Sequence, residues 1–154
     1  MVNRDYKDLF AAFNAHGVEF LIVGAYALAV HGHVRATKDL DVWIRPSSEN
    51  ARRVLRALTA FGAPTEGLSE HELAQPGMII QLGYPPVRID VVTSIEGVVF
   101  DNAWEERVDA SYGDQNVFVI SRRHLVASKR AAGRLQDLAD LEALENGSVD
   151  DGTA

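Results

Sequence analysis

Residues 20–46, FLIVGAYALAVHGHVRATKDLDVWIRP, decide how the chain is read. They open on Phe20-Leu21-Ile22-Val23, an apolar run too short for a helix and β-branched at its end, which predicts a short buried strand. Gly24 ends that strand. Residues 25–30 are mostly helix-prone, and Gly32 stands where a C-cap glycine would, so a short helix follows the turn. A basic, polar connection over residues 33–38 leads to Asp39-Leu40-Asp41-Val42-Trp43-Ile44. Its alternation predicts a strand with Leu40, Val42 and Ile44 towards the core and both aspartates on the other face.

Two carboxylates at i and i+2 of a strand point the same way, about 7 Å apart along the chain, close enough to share divalent cations. Without a cation they repel each other. The turn before the helix offers a complementary half, because free N–H groups at a helix start favour phosphate. A later segment, Val87-Arg88-Ile89-Asp90-Val91-Val92, predicts another strand, with Val87, Ile89 and Val91 inward and Asp90 on the opposite side. An Asp-x-Asp pair alone is most often plain surface charge. The nearby glycine turn, the strand context and the third carboxylate together favour a metal and nucleotide site.

Val23-Gly24-Ala25, then residues 26–38, then Asp39-Leu40-Asp41-Val42 resembles the signature of the nucleotidyltransferase superfamily of DNA polymerase β. That signature is an apolar residue, Gly, Gly or Ser, a spacer, then Asp, apolar, Asp or Glu, apolar. Ala25 departs from it, so any phosphate grip at the turn comes from backbone. His31-Gly32, with Arg35, Thr37 and Lys38 ahead of the carboxylates, is most similar to the small prokaryotic branch related to the AbiE phage-resistance toxin. The resemblance extends over residues 3–145, but only residues 24–44 are specific to it.

The resemblance implies an α+β fold, a mixed twisted sheet with helices packed on one face, the site on the open face, and a C-terminal helical pair. It implies transfer of a nucleotide monophosphate from a nucleoside triphosphate to an acceptor hydroxyl, with two Mg2+ ions. Asp39 and Asp41 would hold the metals, and Asp90 would complete the site and act as the base. Gly24 and Ala25 would hold phosphate. Lys129, in Ser128-Lys129-Arg130-Ala131-Ala132-Gly133-Arg134, would reach the triphosphate from a partly exposed helical position, with a lesser role for Arg134. Arg35 and Lys38 would contact phosphate or balance local charge. For a toxin the acceptor would be tRNA or a protein side chain, and an antitoxin would be a partner. An antibiotic-modifying enzyme and a non-catalytic nucleotide-binding protein stay open beside it, the latter because of Ala25.

The remaining sequence bounds these readings. A chain of 154 residues is most simply one domain, taken here as residues 1–147 with a disordered tail over 148–154. There is no cysteine, which excludes disulfides, zinc-thiolate sites and thiol nucleophiles. The net charge of −7 argues against a protein that coats nucleic acid. No run is apolar enough to span a bilayer and no secretory signal opens the chain, so a cytoplasmic protein without membrane contact is expected. Further elements are a helix over residues 4–15, a helix capped by Ser47 or Ser48 and closed at Gly62, and a loop over 63–77 with room for one short helix. A hairpin then covers residues 78–92, a short helix surrounds Trp104, and two strands flank Gly113-Asp114. Helices on either side of Gly133 follow, the second ending at Asn146-Gly147. Arg52, Arg53 and Arg56 read as a solvated face, and His31 and His33 as capping or packing. Trp43 reads as core, with a lesser chance of flanking a base.

Overall fold

The computed structural model describes residues 2–37, 39–84 and 87–153, leaving aside the side chains of Tyr84 and residues 147–153. Lys38 and the Pro85-Pro86 turn therefore lie outside the described residues. The elements run α1 (Arg4–Ala15), β1 (Phe20–Val23), α2 (Gly24–Val30), β2 (Asp39–Ile44), α3 (Ser48–Phe61), α4 (Glu70–Leu73), β3 (Ile79–Tyr84), β4 (Val87–Val92), α5 (Phe100–Glu105), β5 (Val108–Tyr112), β6 (Gln115–Val119), α6 (Arg122–Ala132) and α7 (Leu135–Thr153). Helix α7 continues through Asn146-Gly147, where the sequence pattern placed its end. One glycine costs a helix only about 1 kcal/mol, too little to stop it alone.

The strands form one mixed, twisted sheet in the order β3-β4-β2-β1-β6-β5. β1 is antiparallel to β2, β2 and β4 are parallel, and β3/β4 and β5/β6 are antiparallel hairpins. Side-chain faces follow from the register. Phe20 stacks on Phe10 of α1 at 5.8 Å, and the pairs Phe20 with Ile44 and Ile22 with Val42 put these residues on the α1 side. Leu21 with Trp43 and Val23 with Asp41 then belong to the opposite side. Helices α1 and α3 pack on each other over the first face, where Leu9, Phe10, Phe13, Val54 and Leu58 are wholly buried.

The carboxylate face is less open than its alternation implies. Trp43 is 1% exposed, with the Phe100 ring of α5 edge-on at 5.0 Å, so it is core and unavailable to a ligand. α5 covers one end of this face. α6 and α7 border the other, leaving a cleft between them and the ends of β1, β2 and β4.

Asn50, 2% exposed on α3, ties down the strand pair that carries the site. Its Oδ1 accepts from the Glu19 amide at 2.8 Å, and its Nδ2 donates to the carbonyls of Glu19 and Arg45, each at 3.0 Å. These residues flank the start of β1 and the end of β2. Asn50→Ala leaves the Glu19 amide without its partner and takes one donor from each of two carbonyls, which keep the Arg45 and Ser47 amides; it is expected to lower stability by about 1–3 kcal/mol, measured by urea unfolding.

Candidate active site

Gly24 is where the strand turns into α2, at φ 67°, a conformation glycine adopts without strain. A Cβ on it would overlap the carboxylate of Asp41, so the glycine is required by space as well as by conformation. The β1-to-α2 turn and the acidic strand thus pack directly on each other. Ala25 is buried and takes no part in the cleft wall, and α2 is only seven residues long, so its dipole offers little to an anion.

Asp41 and Asp90 are register partners on the parallel strands β2 and β4, and Asp39 is the partner of Arg88. One face therefore carries a square of three carboxylates and a guanidinium. Arg88 forks onto Asp90, Nε to Oδ1 at 3.0 Å and Nη2 to Oδ2 at 2.9 Å, and the same Nη2 lies 3.3 Å from Asp39 Oδ2. Asp41 has no such donor among the described residues. Burial first, then the charges of Asp90 and Asp39, push its pKa up to about 6, against the lowering pull of Arg88 and Lys129. Arg88 is the site residue that sequence reasoning missed. Its signal was its place two residues before Asp90, on the same strand face.

No three acidic or imidazole groups among the described residues converge closely enough to cage a metal as they stand. The donor chemistry nevertheless suits a hard cation. The oxygens are carboxylate, Asp41 is mostly buried at the cleft with no ion-pair partner among the described residues, and Arg88 already supplies the positive charge between Asp39 and Asp90.

A second charge cluster closes the cleft from the α6–α7 side. Lys129, 7% exposed, donates to Asp140 Oδ2 at 2.8 Å and lies 3.7 Å from Asp137 Oδ1. Asp140, 1% exposed, also accepts from Arg35 Nε at 3.0 Å and Nη2 at 3.2 Å and from Gln136 at 2.9 Å. Asp137 accepts from the Arg134 side chain and amide. Burial pushes both aspartates up, but these donors bring each below the ordinary carboxylate value. Two expectations change. Lys129 is buried and paired, not partly exposed, because two aspartates on α7 draw it in. Arg35 is bound to α7, so its first role is to anchor the loop ahead of β2. Lys129 and Arg134 still border the cleft with Gly24, Asp41 and Asp90. α1 also reaches the site, since Tyr6 Oη donates to the Arg88 carbonyl at 3.3 Å. Burial, with Tyr26, Tyr112, Asp39 and Asp41 adding to it, raises that phenol to about 12.

The metal-free protein should show these charges in its stability. Asp41 keeps its proton in the folded state up to about pH 6, whereas the unfolded chain releases it near pH 4. Stability from this group is therefore lost as pH rises through that window. Asp41→Asn should gain on wild type by up to about 3 kcal/mol between pH 4 and pH 7 in thermal melts with chelator present. Asp90→Asn strips Arg88 of its forked partner and should lower stability in the same melts. Lys129→Ala leaves two buried carboxylates short of a cation and should cost about 3–5 kcal/mol, read by urea unfolding.

Comparison with known proteins agrees with this fold. The family model described as "Nucleotidyltransferase of unknown function (DUF6036)" matches residues 4–148. No curated protein matches the chain in sequence. A Thermotoga maritima protein whose solved structure carries a nucleotidyltransferase assignment superimposes with a TM-score of 0.61 at 13% identity, covering 95% of this chain and 96% of that one. The lincosamide antibiotic adenylyltransferase LnuA, solved with lincomycin bound, gives 0.59 at 14% identity, covering 94% and 97%. An antigenic nucleotidyltransferase-like protein from Paracoccidioides brasiliensis gives 0.50 at 18% identity, covering 91% and 74%. At such identities these structures share the fold with this chain, and the family match carries the assignment. With its glycine turn packed under an acidic strand and nearly its whole length matched, the chain belongs to the nucleotidyltransferase family DUF6036.

Proposed function

We propose that the protein transfers a nucleotide monophosphate from a magnesium-bound nucleoside triphosphate to an acceptor hydroxyl. The observation that carries this reading is the square of Asp39, Asp41, Asp90 and Arg88 beside the Gly24 turn, at the mouth of a cleft that Lys129 and Arg134 also border. Asp39 and Asp41 would hold the nucleotide-bearing cation and Asp90 would share the second. Magnesium held there would neutralise the triphosphate and lower the pKa of the acceptor hydroxyl. Asp90 takes the hydroxyl proton as the acceptor oxygen bonds to the α-phosphorus. The bond from that phosphorus to the bridging oxygen breaks, and pyrophosphate leaves with the electron pair. Lys129 and Arg134 stabilise the leaving charge. Arg88, forked onto Asp90 and beside Asp39, would have to yield these carboxylates to a bound cation.

The acceptor reading follows two lines. Similarity of residues 24–44 to the AbiE-related branch favours a cytoplasmic toxin acting on tRNA or a protein, held in check by an antitoxin. The likeness to LnuA favours a small-molecule hydroxyl, as in antibiotic modification. A non-catalytic nucleotide-binding protein is the reading left if no transfer occurs. No described helix is long and apolar enough to cross a membrane.

The deciding experiment incubates the protein with each α-32P-labelled nucleoside triphosphate, Mg2+ and, in separate arms, total tRNA, a protein extract and a lincosamide. Label is expected in one acceptor class, to vanish with chelator and to fall about a hundredfold or more in Asp90→Asn. No label in any arm, with nucleotide binding intact, would return the protein to the binding class.

A further inference from the structure

The cleft changes character along its length. Arg88, Asp90 and Val92 follow one another on one face of β4, from cation to anion to apolar, and Ile79 is the register partner of Val92 on the edge strand β3. Across from them, α6 contributes Ser128, Lys129 and Ala132 to the same wall. The turn after β4 adds Ser94, Ile95 and Glu96. This turn is held hard against α6. Gly97 sits at φ 71°, and a Cβ there would come within 2.5 Å of the Ala131 Cβ, so only glycine lets the turn approach. Ser94 Oγ accepts from the Gly77 amide at 2.8 Å, which leaves its own proton free to donate.

We propose that the slot between Ile79 and Val92 on the sheet and Ala132 on α6, with the Ser94 and Ser128 hydroxyls, binds the nucleobase of the nucleoside triphosphate. The inference rests on the nucleotide reading above and deepens it. The whole cleft is about 540 Å3, within the range of sites that enclose a small molecule. Val92 lies about 7 Å along the strand from Asp90, a gap a ribose bridges when phosphates occupy the ionic end. Ile79, 64% exposed on an edge strand, presents an apolar surface that the fold itself leaves uncovered and a flat heterocycle would cover. Two hydroxyls, each able to donate or accept, make this a slot tolerant of several bases. Ala132 leaves room that a larger side chain would fill.

Calorimetric titration of the full chain with Mg2+ and either a nucleoside triphosphate or inorganic tripolyphosphate separates the slot from the phosphate end. Wild type is expected to bind at least one nucleoside triphosphate about tenfold or more tighter than tripolyphosphate. Ala132→Phe should erase that difference while tripolyphosphate affinity stays within about twofold. Ile79→Ser, on an exposed edge position that the fold tolerates, should narrow the same gap. Equal affinity for nucleotide and tripolyphosphate in wild type, or a gap unchanged in both variants, overturns the slot while leaving the phosphate site standing. If neither ligand binds wild type, the nucleotide reading falls and the slot with it.

Discussion

Among the described residues, three carboxylates on one face of two neighbouring strands share a single guanidinium, and most of the site follows from that shortage of positive charge. Arg88 forks onto both oxygens of Asp90 and reaches Asp39 at one corner, and Asp41 is left as a mostly buried carboxyl whose pKa is pushed up to about 6. Natural folds seldom leave buried charge uncompensated, because its removal from water costs several kcal/mol. A face built this way is stabilised by anything that delivers cations. The parallel register of β2 and β4 is what enforces the crowding, since it sets Asp41 directly beside Asp90.

The C-terminal helical pair answers the same problem from the other side. Lys129, Arg35 and Arg134 face Asp137 and Asp140, three cations to two anions, in a cluster whose aspartates are almost wholly buried. The surplus positive charge borders the cleft, where a triphosphate would need it. Arg35 also fastens the loop ahead of β2 to α7, so the acidic strand and the helical pair are positioned against each other by one ion network. Its members act jointly, and single substitutions within it should be strongly non-additive.

Much of this was legible in residues 20–46. Period-two alternation over residues 39–44, a β-branched apolar run ending at Gly24, and Asp90 between inward-facing apolar neighbours placed the carboxylates on strands and on one side, because strand periodicity is local and survives in any context. The same locality made α1, α3, the β5/β6 hairpin and the helices on either side of Gly133 readable from caps, stripes and turn residues. The specific part of the family resemblance lies in the same short stretch, residues 24–44, and a nucleotidyltransferase family model matches residues 4–148.

What a neighbour on another element does to a side chain is not written in its own surroundings. The family resemblance puts Lys129 at a partly exposed position within reach of a triphosphate. It is buried because Asp137 and Asp140, one turn apart on α7, reach it across a helix pair. For Arg35 the sequence leaves phosphate contact and charge balance open, and tertiary packing sets Asp140 within hydrogen-bond reach of it. Trp43 shares a strand face with Asp41 but is covered by Phe100 from a helix more than fifty residues later. Arg88 passed unnoticed since its meaning depends on strand register, which pairs it with Asp39 across the sheet. The sequence by itself determined which residues carry charge and which face of each strand they share, through backbone periodicity. Only the tertiary structure decided which charges neutralise one another, because an ion pair's worth depends on distances and burial that separate elements create together.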